Sequence, residues 1–276
     1  MENRKKKKGK GAVYYILLLL FLGVFSVSAY KVGSYMFDAY TNRQSVKEVS
    51  AGAVLKTPEK AQQIIVYREK KDPVTGTTYA DKEEPGFVLP QTVDIAALKE
   101  KNSEIVGWIC CPGTKIDYPV VKASDNEKYL HMLTNGAYAS GGTLFMDCND
   151  SEDLSGFKTV IYGHNMNNGD MFGTIDNYRR QEYYDEHPVL YYFNEEGIWL
   201  LEPCTGFTVD AESFVYGAVE TEEQKKSFVS QTSRLSTFKS GTQMTVDDRY
   251  MVLSTCAYEF DNARYVLICR ISKVVL

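Results

Sequence analysis

Tyr250-Met251-Val252-Leu253-Ser254-Thr255-Cys256, a loop from Ala257 to Ala263, then Arg264-Tyr265-Val266-Leu267-Ile268-Cys269-Arg270-Ile271 is the stretch that decides the architecture. Both arms are rich in the β-branched, aromatic and aliphatic residues that suit strands, and the loop holds Glu259, Asp261 and Asn262. The pattern predicts two strands joined by a hairpin, with Cys256 leaving one strand where Arg264 enters the next. A thiol facing a fixed positive charge is a nucleophile with a partner for an oxyanion.

Upstream of the hairpin, strand-like runs follow one another: Val106–Cys111, Ile116–Val121, Thr143–Asp147, Lys158–Tyr162, Val189–Phe193, Ile198–Phe207 and Ser213–Val219. Turn-forming pairs such as Pro112-Gly113, Asn135-Gly136, Asn168-Gly169 and Glu196-Gly197 separate them. Short helices are expected at Ile95–Asn102 behind an Asp94 cap, at Asn126–Leu133, after Asp170, where Met171, Phe172, Ile175 and Tyr178 share a face, and at Glu222–Ser236, where Thr221 and Gln224 form a capping box. Many short strands with few helices predict a mainly β fold, a closed or nearly closed barrel.

The amino-terminal third differs. Arg4, Lys5 to Lys8 and Lys10 against Glu2 give residues 1–10 a charge of +5, and the whole chain carries −5, so the remainder carries −10. That acidic balance argues against nucleic acid as a partner. Gly11 to Tyr30 contains no charge, and a helix of that length spans ~30 Å, a bilayer's hydrocarbon thickness. The basic run leaves the amino terminus cytoplasmic and the rest outside. A cleaved signal peptide, with Val27 and Ala29 before the cut, is the alternative, and either route exports the domain. The expected organisation is a tail at 1–10, an anchor at 11–30, a helical stalk and linker at 31–93, with Ile64 to Pro90 as charged linker, and a catalytic domain at 94–276.

Six cysteines, Cys110, Cys111, Cys148, Cys204, Cys256 and Cys269, fit no CxxC metal spacing, and three dispersed histidines add no ligand cluster, so neither a metal nor another cofactor is expected. Of the histidines, His164 ends the strand Lys158–Tyr162 through Gly163, a position that a sheet fixes and a loop exposes. A cysteine with a histidine in reach is the minimal acyl-transfer pair, in which the thiolate attacks a carbonyl and the imidazole protonates the departing amine. Arg264 would stabilise the charge, with Arg270 on the same strand as its competitor.

The run Leu253-Ser254-Thr255-Cys256 followed by Arg264, with Tyr162-Gly163-His164-Asn165-Met166 upstream, closely resembles the class B sortases, membrane-anchored transpeptidases of Gram-positive bacteria. Ile105 to Ile109, Ile116 to Val121, Asn126 with Tyr129-Leu130, Gly142 to Asp147 and Met171-Phe172 fall in the family's order, from about Asp94 to Leu276. The resemblance implies an eight-stranded sortase barrel preceded by one transmembrane helix. It implies that Cys256 attacks the Thr-X bond of a C-terminal sorting signal on a secreted protein and holds a thioester, which an amine of a peptidoglycan precursor or a pilin subunit resolves. His164 would be acid and base, and Arg264 would hold the carbonyl or oxyanion. Asn126, Leu130, Tyr162, Phe214, Val215 and Ser254 would line the signal-peptide groove. The sequence departs from some relatives in carrying Ala257 directly after Cys256 and in a shorter path to Arg264. Two other readings stand beside it. One is a cell-wall cysteine peptidase, although papain-like enzymes place Cys before His along the chain; the other is a non-catalytic membrane-anchored barrel.

Overall fold

The computed structural model describes residues 10–56, 63–72 and 75–275. The basic tail thus lies outside the described residues up to Lys10, where helix α1, Lys10–Ser50, begins. Then follow β1 Val54–Lys56, β2 Ile65–Lys71, β3 Thr78–Glu83, β4 Gln91–Val93, α2 Ile95–Lys101, β5 Ile105–Cys110, β6 Asp117–Val121, β7 Leu144–Met146, β8 Lys158–Tyr162, α3 Gln181–Glu186, β9 Leu190–Asn194, β10 Gly197–Asp210, α4 Glu222–Thr232, β11 Arg249–Cys256 and β12 Ala263–Val275. Single 3-10 turns lie at Lys128–Leu130 and Ile175–Arg179.

Eight strands close into a ring in the order β10-β9-β5-β6-β7-β8-β11-β12, with β12 pairing back to β10. The pairs β6–β7 and β8–β11 are parallel and the others antiparallel. Period-two alternation divides the hairpin's side chains between two cores. Met251, Leu253, Tyr265, Leu267, Cys269 and Ile271 fill the barrel interior, while Tyr250, Val252, Val266 and Ile268 pack outward on Phe157 and on Phe228 of α4. Burial on both faces explains why these strands read as continuous apolar runs. Each large side chain buried in this way stabilises the fold by roughly 1.5–3 kcal/mol.

The caps follow the sequence. The Asp94 carboxylate accepts from the Ala97 N–H at 3.0 Å, and Thr221 with Gln224 closes the capping box of α4. Elsewhere the local reading fails for identifiable reasons. Ser213–Val219 forms turns rather than a strand: Asp210 Oδ1 accepts from the Glu212 N–H and Ser213 Oγ from the Val215 N–H, so short polar side chains take donors that a strand would pair. Asp170 caps no helix, because Arg43 and Asn168 occupy its carboxylate and Met171 adopts φ +55°. Only the 3-10 turn forms within Asn126–Leu133.

Ile64 to Pro90, expected as linker, carries the antiparallel pair β2–β3. β12 runs past the end of β11, whose last pair is Arg249 with Ile271, and β2 takes over that edge from Lys273–Tyr67 to Val275–Ile65. α1 runs beyond the apolar segment without a break. Its first half is exposed, and the helix is long and apolar enough to cross a membrane. Its second half lies on the barrel, burying Asn42, Ser45 and Val49.

Candidate active site

β8 and β11 run in parallel with Tyr162 beside Ser254. The strands therefore end at the same edge of the barrel, and two residues further along each chain come His164 and Cys256. Across the hairpin, Cys256 is paired directly with Arg264. The loop Ala257 to Ala263 is compact. The Ala257 N–H donates to the Ala263 carbonyl at 2.9 Å, Asn262 takes φ +61°, and the Glu259 carboxylate is held by Arg179 and by Thr208 Oγ1. A second tether crosses from the histidine loop, where Asn165 Nδ2 donates to the Cys256 carbonyl at 2.8 Å. Gly163 is required sterically, since a Cβ there would overlap Leu144 and Phe172.

The three residues open on one cleft of about 250 Å³, lined also by Asn126, Leu130, Phe145, Tyr162, Ala211, Tyr216, Ser254 and Thr255. The residue that orients His164 was not identifiable in the sequence, and it is backbone. His164 Nε2 lies 2.8 Å from the Leu130 carbonyl oxygen. A carbonyl only accepts, so Nε2 carries a hydrogen and the neutral ring keeps its lone pair on Nδ1. Burial pulls the His164 imidazole below its ordinary pKa, and the charges of His131 and Arg264 add to that pull against the Leu130 hydrogen bond.

The groove walls are tied together through Asp147. Its Oδ2 accepts from Asn126 Nδ2 at 3.1 Å and from the Tyr162 hydroxyl at 2.9 Å. Against the upward push of burial, these hydrogen bonds and those from Asn149 hold the Asp147 carboxyl below the usual range. Burial and the Asp147 charge raise the Tyr162 phenol, which stays a neutral donor. Tyr162 stacks on Tyr216 at 5.9 Å, and the Tyr216 hydroxyl meets Ser254 Oγ at 2.8 Å.

Four of the six expected groove residues, Asn126, Leu130, Tyr162 and Ser254, therefore line the cleft. Phe214 and Val215 do not. Val215 is wholly buried in the outer core and Phe214 packs edge-on to Phe228. Tyr216 takes that place, and it was hidden because its run read as a strand. Asn165 stood inside the quoted motif without an assigned role. All six cysteines are free thiols. Burial raises Cys111 to about 11, Cys204 to about 12 and Cys269 well above the ordinary value, whereas Cys256 is partly exposed in the cleft. Arg270 turns away to the buried Glu202 carboxylate at 3.0 Å, and His187 bonds the Pro112 carbonyl, outside the cleft.

No protein-family model matches the chain. Sortase B of Staphylococcus aureus is 30% identical over 181 residues, covering 64% of this chain and 74% of that protein. Sortase B of Listeria monocytogenes is 27% identical over 249 residues, 89% of this chain and 90% of the relative. Among solved structures, a Staphylococcus aureus sortase B–substrate complex superimposes with a TM-score of 0.62 at 28% identity, over 65% of this chain and 85% of that one. With the closed eight-stranded barrel, these likenesses establish that the chain belongs to the class B sortases.

Proposed function

We propose that this sortase is a membrane-anchored cysteine transpeptidase that cuts the Thr-X bond of a C-terminal sorting signal on a secreted protein and passes that protein to a cell-wall or pilin amine. The observation that carries the reading is the convergence of Cys256, Arg264 and His164 on one cleft, with Cys256 and Arg264 opposite each other across a hairpin. Membership of the family supports acyl transfer in general, and the related sortase B solved as a substrate complex supports a substrate seated in the corresponding cleft here.

In this mechanism the Cys256 thiolate attacks the threonine carbonyl carbon, and the C=O electron pair moves onto oxygen, where the Arg264 guanidinium balances the charge. Collapse breaks the C–N bond, and protonated His164 gives its proton to the departing amine. Because Nε2 is engaged by the Leu130 carbonyl, Nδ1 is the nitrogen that exchanges the proton. The incoming amine then attacks the thioester carbon and loses a proton to His164, and the Cys256 thiolate leaves. The steps balance without a cofactor. Asn126, Leu130, Tyr162, Ser254 and Tyr216 would hold the signal peptide. α1 would be the anchor with its amino terminus cytoplasmic, and residues 94–276 the extracellular catalytic domain.

The test is product analysis by mass spectrometry on a panel of sorting peptides, beginning with the Asn-Pro-x-Thr kind, with and without added amines. Amide product from the wild type and no cleavage by Cys256→Ala are expected. Only the hydrolysed acid, whichever amine is offered, would turn the assignment to a peptidase.

A further inference from the structure

Of the two histidines for which the proposed chemistry has no use, His131 lies against the one that the chemistry needs. Its ring stacks on His164 with centroids 5.4 Å apart and planes 20° apart. Its Nδ1 lies 3.2 Å from the Ser140 carbonyl oxygen, which only accepts, so Nδ1 carries hydrogen and the ring's orientation is fixed. The Tyr138 ring stands 5.9 Å from it. Consecutive residues thus hold His164, Leu130 by the ring's edge through its carbonyl and His131 by the ring's face.

We infer that His131 is a positioning residue that fixes the plane of the His164 ring and, when itself protonated, opposes protonation of His164. The inference rests on the acid–base role proposed for His164. Several charged or titratable groups face the pair. Arg264 and Cys256 line the cleft with His164, and Tyr138 lies by His131. The acidic side chains of the adjoining segments are engaged elsewhere. Asp125 accepts the Glu127 and Lys128 N–H groups, and Glu104 takes the Lys128 ammonium and the Tyr129 hydroxyl. Among the described residues no hydrogen bond or ion pair joins a carboxylate to either ring. Two imidazolium charges stacked at this distance would therefore repel with little compensation. The Arg264 charge opposes protonation of His164 in the same direction.

The consequence is a brake on the acidic side. Acylation needs protonated His164 beside a Cys256 thiolate, and an imidazolium stacked on the His164 face would deplete that form. Repulsion between unit charges about 5 Å apart in a water-like dielectric corresponds to a population factor of about fourfold.

The experiment compares His131→Phe, which keeps a ring and removes the charge, with His131→Ala, which removes both. The readouts are the His164 imidazole NMR titration and kcat/KM for a sorting peptide across the histidine range, about pH 5 to about pH 9. In His131→Phe the His164 midpoint should move to higher pH, and the ratio of its kcat/KM to wild type should rise from near unity at the alkaline end to at most about fourfold in mild acid. In His131→Ala the midpoint should move the same way, but kcat should be lower than that of His131→Phe at every pH with KM little changed, because the stacked face is gone. A His164 midpoint unmoved in both variants, or a kcat in the Ala variant equal to that of the Phe variant, overturns the inference. If the wild type cleaves no sorting peptide, the transpeptidase reading fails instead, and the NMR midpoints still decide whether the two histidines are coupled.

Discussion

Arg264 and Arg270 lie on the same face of β12, and their surroundings give them different work. Arg270 is enclosed, its guanidinium donating to Glu202 Oε2 at 3.2 and 3.0 Å, so its charge is consumed by the fold. Arg264 opens on the cleft opposite Cys256, and among the described residues it meets no carboxylate within ion-pair distance. Replacing its planar fork by one ammonium should remove a preorganised donor pair. Arg264→Lys is therefore expected to lower kcat by about 10²-fold or more with an unchanged melting temperature. Arg270→Lys should lower the melting temperature and leave kcat of the folded fraction close to wild type; the reverse pattern would exchange the two assignments. The position of Arg264 at the mouth was legible in the sequence, because hairpin spacing alone puts it opposite Cys256. What orients His164 was not legible, since the acceptor is the Leu130 backbone carbonyl and no side-chain type announces it.

The β2–β3 hairpin shows how an element can be stable while its sequence looks like linker. Lys70, Lys71, Asp72 and Glu83 give it the charged composition of a linker, yet Arg68 reaches inward and its Nη2 meets both oxygens of Glu202 at 3.0 and 2.8 Å. The partners are 134 residues apart in the chain, so no local pattern could disclose the pair. Glu202 thereby joins an arginine of the appended hairpin to Arg270 of the barrel. Both arginine side chains are only 13% exposed, and although Arg68 keeps the Glu83 carboxylate at 2.6 Å, removing the Glu202 charge leaves Arg270 without its partner in a poorly solvated site. Glu202→Gln should cost about 3–5 kcal/mol in denaturant unfolding. A loss under about 1 kcal/mol would mean that water reaches the cluster, as it does for surface pairs. The barrel strands, by contrast, were legible because burial on both faces leaves continuous apolar runs. Ser213–Val219 misled because composition does not reveal which carbonyls and hydroxyls will take its N–H groups.

At the scale of the whole molecule, the anchor and the candidate site are mechanically joined. α1 passes from its exposed apolar half to a half docked on the domain. There Asn42 Nδ2 donates to the Gly142 carbonyl at 2.9 Å, Arg43 pairs with Asp170 at 3.1 Å, and the Asn168 N–H donates to the Tyr35 hydroxyl at 3.1 Å. Asn168 and Asp170 belong to the loop that begins at His164, so the cleft should stand close to the bilayer surface, where the proposed substrate would have to meet it. In the proposed orientation the basic amino terminus stays on the cytoplasmic side, where positive charge is retained. Both expectations can be read from one thiol. In intact cells a membrane-impermeant maleimide should label Cys256, and the signal should vanish in Cys256→Ala. Cys148, the other cysteine that is not fully buried, is removed first by Cys148→Ser so that the signal has a single source. Labelling only after the membrane is permeabilised would reverse the orientation. Labelling in intact cells that is slowed when a sorting peptide is added would locate the peptide over Cys256, on the outer face, where the proposed transfer has to occur.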